Sequence, residues 1–129
     1  MATWKQIREF LNYEEFSVEA YYDEDDDVVT VQLEYDDEGQ DVCVSRINGD
    51  YYNWILIESC IGEVSKNDLV DLLDAAKAEN GGIIRKGKDY YVRSIIPYDG
   101  LPENELEVIA FLVRAIGHIA HRFKSSYEE

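Results

Sequence analysis

The chain has 129 residues with 28 acidic and 12 basic side chains, a net charge of −16. That length suits one domain, and an apolar fraction of 46% is enough to build a core rather than a disordered chain. Such an excess of negative charge disfavours nucleic acid, whose phosphates need Lys and Arg, and disfavours an anionic membrane surface. It permits a basic protein partner, or serves solubility. The charge is uneven, −12 over residues 1–50 and −4 over residues 51–129.

Thr3-Trp4-Lys5-Gln6 fits a capping box, with Trp4, Ile7 and Leu11 following at helical spacing, and predicts a helix over 3–13. The period then changes to two. Phe16, Val18, Ala20 and Tyr22 alternate with Ser17, Glu19 and Tyr21, which reads as a strand. After Asp23-Glu24-Asp25-Asp26-Asp27, the run from Val28 to Tyr35 is rich in β-branched and aromatic residues and predicts a second strand. Asp36-Asp37-Glu38-Gly39 is turn chemistry, and Asp41 to Ile47 is a third strand. Asn48-Gly49 predicts a type I′ hairpin, because both central residues of that turn need positive φ. Tyr51 to Glu58 follows as a fourth strand. Its run Trp54-Ile55-Leu56-Ile57 is apolar on both faces, which predicts a central place in the sheet.

Ser65 caps a predicted helix over 66–79 with Leu69, Leu72, Leu73 and Ala76 as its stripe, ended by Asn80-Gly81-Gly82. Ile83 to Arg85 and Tyr90 to Ile96 form a hairpin that turns through Lys86-Gly87-Lys88-Asp89. Pro97 ends it and Pro102 opens a last helix over 103–123. The expected fold class is α+β, an antiparallel sheet with helices packed on it in the order α-β-β-β(-β)-α-β-β-α. Residues 1–124 form its single domain and 125–129 a frayed tail.

On a helical wheel the apolar residues of the last helix span roughly 200° of its circumference, against the ~100° that a one-sided surface helix needs. The other helices or a second subunit must cover the surplus, and a homodimer is expected. Its interface would use Phe111, Leu112, Ala115, Ile116, Ile119 and Phe123. Gly117 either permits close approach or is neutral.

Candidate chemistry is sparse. No GxSxG, HExxH, P-loop or GxGxxG motif occurs, so no catalytic residue is expected, and no cofactor or metal. Asp23, Asp25, Asp27 and Glu34 occupy places 1, 3, 5 and 12 of a calcium loop, but place 6 is Val28 where glycine is required, and strand formers follow it. A solvated hairpin loop is the favoured reading, its charges opposing edge pairing. His118 and His121 share a helix face with Arg114 and Arg122, and a solvated basic stripe is favoured over a metal site. Cys43 and Cys60 lack CxxC spacing and are expected to pack as small hydrophobes. Glu58, Glu63 and Asp68 cluster near one junction, as carboxylates do by chance in so acidic a chain. Tyr21, Tyr22, Tyr35, Tyr51, Tyr52, Tyr90, Tyr91 and Tyr98 suit sheet packing first and a binding face second. Arg85, Lys86, Lys88 and Arg93 either balance the acidic half or form a small anion-binding patch.

A small acidic chain with this element order, the Leu-Leu helix Asp68-Leu69-Val70-Asp71-Leu72-Leu73, a hairpin and a long apolar final helix resembles the type III secretion chaperone-like fold. Within that group it is most similar to the YbjN-type bacterial families, which include cyanobacterial members. The resemblance covers nearly the whole chain and rests on element order rather than a diagnostic motif. It implies a small acidic dimer that is not an enzyme and that holds an extended segment of a partner protein. The four strands before the middle helix depart from the usual three, so the first could be a helix extension or an irregular lead-in. The family defines no site that could be transferred residue by residue. The expectation is therefore a cytoplasmic, chaperone-like or regulatory protein-binding module. The alternative is an acidic inhibitor or immunity protein for a basic toxin or nuclease, and a small enzyme stands third, lacking the convergent titratable pocket it would need.

Overall fold

The computed structural model describes residues 3–11, 20–22, 27–76, 82–98 and 105–127. The fold is α+β. In chain order it runs α1 (Trp4–Glu9), β1 (Ala20–Tyr22), β2 (Val28–Tyr35), β3 (Glu38–Asn48), β4 (Asn53–Gly62), α2 (Lys66–Ala76), β5 (Gly82–Lys86), β6 (Asp89–Pro97) and α3 (Glu105–Tyr127). The strands form one six-stranded sheet in the order β1-β2-β3-β4-β6-β5, with every pair antiparallel. As expected from its doubly apolar run, β4 lies inside the sheet, between β3 and β6.

The helix starts form as their sequences require. The Thr3 hydroxyl accepts from the Gln6 backbone N–H at 3.1 Å, and the Gln6 side chain accepts from the Thr3 N–H at 2.9 Å. Ser65 caps α2 by accepting from the Asp68 N–H at 3.2 Å. Residues 12–13 of the predicted first helix and 16–19 of the predicted first strand lie outside the described residues. The described part, Ala20–Tyr22, is a strand paired with β2, not a helix extension.

Two expectations change. Asn48-Gly49 is not a two-residue turn. Asn48 stays in the ladder opposite Asn53, and residues 49–52 make a longer loop closed by Gly49 N–H donating to the Tyr52 carbonyl at 2.9 Å. Gly49 is needed there for space, since a Cβ would lie 2.6 Å from the Tyr52 carbonyl oxygen. The two-residue turn with positive φ sits instead between Tyr35 and Glu38, at Asp36 (53°) and Asp37 (65°). Aspartate tolerates the left-handed region because its side chain can bond the local backbone. The last helix also continues to Tyr127, three residues into the predicted tail.

The core occupies one face of the sheet. Val29, Val31 and Leu33 of β2, Val42 and Val44 of β3, Ile55, Ile57 and Ile61 of β4 and Val92 of β6 all project to that side. The same cluster takes Trp4, Ile7 and Leu11 from the first helical segment, Leu72 and Ala76 from α2, and the buried side of α3. All three helices therefore pack on one face. Each fully buried Val, Leu or Ile contributes roughly 1.5–3 kcal/mol by leaving water. The predicted stripe of α2 is narrower than expected, since Leu73 is exposed.

Gly117 lets α3 lie close to the sheet. A Cβ at this position would sit 2.9 Å from a Val42 methyl, 3.0 Å from the Tyr35 hydroxyl and 3.1 Å from a Leu33 methyl. Val42 is β-branched and fully buried, and the Tyr35 hydroxyl is bonded to the helix, so neither can easily retreat. We expect Gly117→Ala to destabilise by about 1–3 kcal/mol through overpacking, despite alanine's higher helix propensity. The urea midpoint measures this, and an unchanged or higher midpoint would contradict the close seat.

Candidate functional site

With every helix on one side, alternation along the strands defines what the other side carries. Val28, Thr30, Gln32 and Glu34 of β2 share that open face with Asp41, Cys43, Ser45 and Ile47 of β3. Trp54, Leu56, Glu58 and Cys60 of β4, Tyr91, Arg93, Ile95 and Pro97 of β6 and Gly82, Ile84 and Lys86 of β5 lie on it too. Register sets these side chains in rows across the strands. One row runs Val28, Ser45, Leu56, Ile95, and the next runs Ile47, Trp54, Pro97. Val28, Ile47 and Ile95 are 38%, 37% and 46% exposed. Tyr52, also exposed, meets Trp54 edge-on at 6.1 Å between ring centroids. Leu56 is buried yet belongs to no part of the core cluster. A solvent-facing antiparallel sheet normally presents polar residues, so this two-row apolar stripe is the feature most in need of explanation.

The next rows are polar. Glu58 is buried and accepts from Lys86 Nζ at 2.6 Å, while its second carboxylate oxygen has no hydrogen-bond partner among the described residues. Arg93 lies opposite Glu58 in register, and Lys86 Nζ also lies 5.0 Å from the Tyr91 ring centroid. The neighbouring Cys60 thiol, then burial, pushes the Tyr91 phenol up. Cys43 and Cys60 are free and half-buried on this face, and Cys43 contacts the Thr30 hydroxyl at 3.7 Å. Beyond them Glu34 and Asp41 are exposed, and no ion pair holds either among the described residues.

The residues singled out from the sequence are distributed differently. Of the expected interface on α3, Ile116, Ile119 and Phe123 are buried in the chain's own core and cannot meet a partner. The surplus apolar surface is thus largely covered by the sheet and the other helices. Leu112 and Ala115 are half-buried, and Phe111 is 63% exposed.

The second hairpin balances charge within the chain. Lys86 pairs with Glu58, Lys88 with Glu63 at 3.4 Å, and the Arg85 Nε–H donates to the Gly87 carbonyl at 2.8 Å.

Asp23 and Asp25 of the calcium-like pattern lie outside the described residues. Asp27 is the counter-ion of Arg46 at 2.6 Å, and Glu34 is on a strand. Tyr21 and Tyr22 lie on β1, and nothing more is described of their side chains.

His121 is not part of a solvated stripe. It is buried with its ring stacked on Tyr35 at 5.5 Å, its nitrogens 3.7 Å from Asp36 Oδ2 and 3.9 Å from Glu38 Oε2. His118 stays exposed, 5.6 Å from the same tyrosine ring. No group of three or more His, Cys, Asp or Glu is arranged to hold a metal among the described residues. Neither histidine is hydrogen-bonded to a hydroxyl or thiol there, so no activated nucleophile is assembled from them.

Tyr35 ties this end together. Its hydroxyl donates to the Arg114 carbonyl of α3 at 2.9 Å. Burial pushes its phenol above the ordinary value of 10.0, with Arg114 partly opposing.

No protein-family model matches the chain, and no curated protein matches it significantly. No helix among the described residues is long and apolar enough to cross a membrane.

Tyr35→Phe is expected to cost about 1 kcal/mol at neutral pH through loss of the bond to Arg114, read by chemical denaturation. The wild type should also lose stability on the alkaline side. A phenol whose proton is held more tightly in the folded chain stabilises fully below pH 10.0 and loses that contribution as pH rises through the raised value. The fall above pH 10.0 should be shallower in Tyr35→Phe, and identical slopes would contradict the assignment.

Proposed function

We propose that the chain is a non-enzymatic protein-binding module, chaperone-like or regulatory, which binds a segment of a partner protein on the open face of its sheet. One observation carries this reading. The chain places its whole described core and all three helices on one face, and leaves Val28, Ile47 and Ile95 exposed around Leu56 and Trp54 on the other. Such apolar patches mark interaction surfaces more often than they occur idly. The resemblance of the element order to the type III secretion chaperone-like fold supports the same class, although β1 is a fourth strand before α2 where that fold has three, and we read the protein as cytoplasmic.

The homodimer is retained in a reduced form. The α3 surface left for it is Phe111 with Leu112 and Ala115, which keeps the open sheet face free. Sedimentation at micromolar concentration should give about twice the 14.9 kDa of one chain, reverting to one chain in Phe111→Asp. A 14.9 kDa species throughout removes the dimer from the proposal.

The module itself is tested by affinity capture from the source cell extract, with the full chain immobilised as wild type, Ile47→Asp, Ile95→Asp and Phe111→Asp. A protein should be enriched by the wild type and Phe111→Asp and lost with the two sheet variants. Circular dichroism confirms that each variant is folded. Recovery of no specific protein, or equal recovery by all four, overturns the reading.

A further inference from the structure

We infer that a proton taken up by His121 closes Asp36 and Glu38 onto its ring, making the β2–β3 turn and α3 a clip that fastens as pH falls. Donors and acceptors around the ring point to this. Each ring nitrogen faces a carboxylate, Nε2 at 3.7 Å from Asp36 Oδ2 and Nδ1 at 3.9 Å from Glu38 Oε2. A neutral imidazole has one N–H to donate, and its other nitrogen presents a lone pair. It can satisfy one of the two carboxylates and must turn that lone pair toward the other. An imidazolium donates from both nitrogens, so only the charged ring matches both neighbours. Both distances exceed hydrogen-bond length, and Nδ1 is buried with no hydrogen-bond partner among the described residues.

The ring is fixed while the carboxylates are free to approach it. His121 is buried and stacked on Tyr35, which is itself bonded to the Arg114 carbonyl. The Asp36 and Glu38 side chains are 94% and 62% exposed, and no other ion pair holds either among the described residues. Each needs to move by only about 1 Å to make a charge-assisted hydrogen bond of about 2.8 Å. The turn itself favours charge over conformational ease. Asp36 and Asp37 take positive φ of 53° and 65°, where a two-residue hairpin turn prefers Asn-Gly.

The other charges at this end act in both directions. Asp37 adds a further exposed carboxylate in the turn. On α3 itself stand Arg114, which acts on the Tyr35 phenol, exposed His118 at 5.6 Å from the Tyr35 ring, Arg122 over Phe123, and Lys124. Burial and these cations oppose a charged ring, whereas the two carboxylates and the net charge of −16 favour it. The clip requires the second set to prevail. Stability supplied this way is present while the ring is charged and fades as pH rises and the proton leaves.

The test compares urea unfolding of the full chain at about pH 8 and about pH 6, which bracket the gain of charge by an imidazole. It uses the wild type, His121→Gln, His118→Gln and the pair Asp36→Asn with Glu38→Gln. The folding equilibrium constant of the wild type should rise at least about threefold at the lower pH, roughly 0.7 kcal/mol. His118→Gln should show the same rise, while His121→Gln and the carboxamide pair should lose it. The carboxamide pair changes only exposed side chains, so the test stands even if His121→Gln fails to fold. NMR of the imidazole nitrogens should show both nitrogens of His121 protonated at the lower pH in the wild type.

A ring that stays neutral there, or a wild type no more stable than at the higher pH, means that burial prevails and overturns the inference. A rise that survives in His121→Gln belongs to other groups and overturns it too. A rise lost in His121→Gln but kept in the carboxamide pair removes Asp36 and Glu38 from the device, and the clip with them.

Discussion

The close seat of α3 on one face of the sheet is the constraint on which the rest of this structure depends. The helix can approach only because position 117 has no side chain, with Val42, Leu33 and Tyr35 filling the space a Cβ would need. Tyr35 then fastens the contact by donating to the Arg114 carbonyl, and its ring stacks against His121 two turns further along. A helix held this near the sheet buries Ile109, Val113, Ile116, Ala120 and Phe123 against its own strands. Together with α1 and α2 on the same side, it absorbs most of an apolar circumference that looked too wide for one sheet.

That arrangement has a consequence for the opposite face. A sheet whose three helices all fall on one side has nothing described to cover the other. Sequence on that face would ordinarily be polar, and part of it is, with Thr30, Gln32, Glu34 and Asp41 following one another in neighbouring strands. The apolar rows occur where β4 and β6 carry hydrophobic residues on both of their faces. The surface proposed for binding is thus the reverse of the core, built from the same central strands.

The elements were legible because their signals are local. A capping box, a β-branched run and a leucine stripe each act within a few residues, and α1, β2 and α2 formed where those signals stand. The Asn48-Gly49 turn failed because its preference is weaker than the pairing of Asn48 with Asn53 and the loop closed onto Tyr52. The site was less legible for a geometric reason. The run Trp54 to Ile57 announced two apolar faces, and a central strand accounts for that pattern only if both faces are covered. A sequence does not show on which side distant helices fall. The surplus on α3 was therefore assigned to a second subunit, although the sheet could take it, while the exposed stripe across Val28, Ile47 and Ile95 depends on register between strands far apart in the chain. His121 was misplaced for the same reason, since only the β2–β3 turn brings Tyr35, Asp36 and Glu38 to its ring.

In the proposed reading the acidic excess also has a role beside this open face. Exposed apolar surface on a sheet invites a second copy of itself, and stacking of identical faces is the usual hazard. The net charge of −16 opposes that outcome, because any copy approaching the face carries the same sign. The same charge does not oppose a partner of opposite sign. Glu34 and Asp41, on this face but two to three rows from the stripe, are exposed, so each contributes little to the stability of the folded chain. In the proposed reading, charge and apolar surface therefore do separate work, the first rejecting like surfaces and steering basic ones, the second holding what arrives.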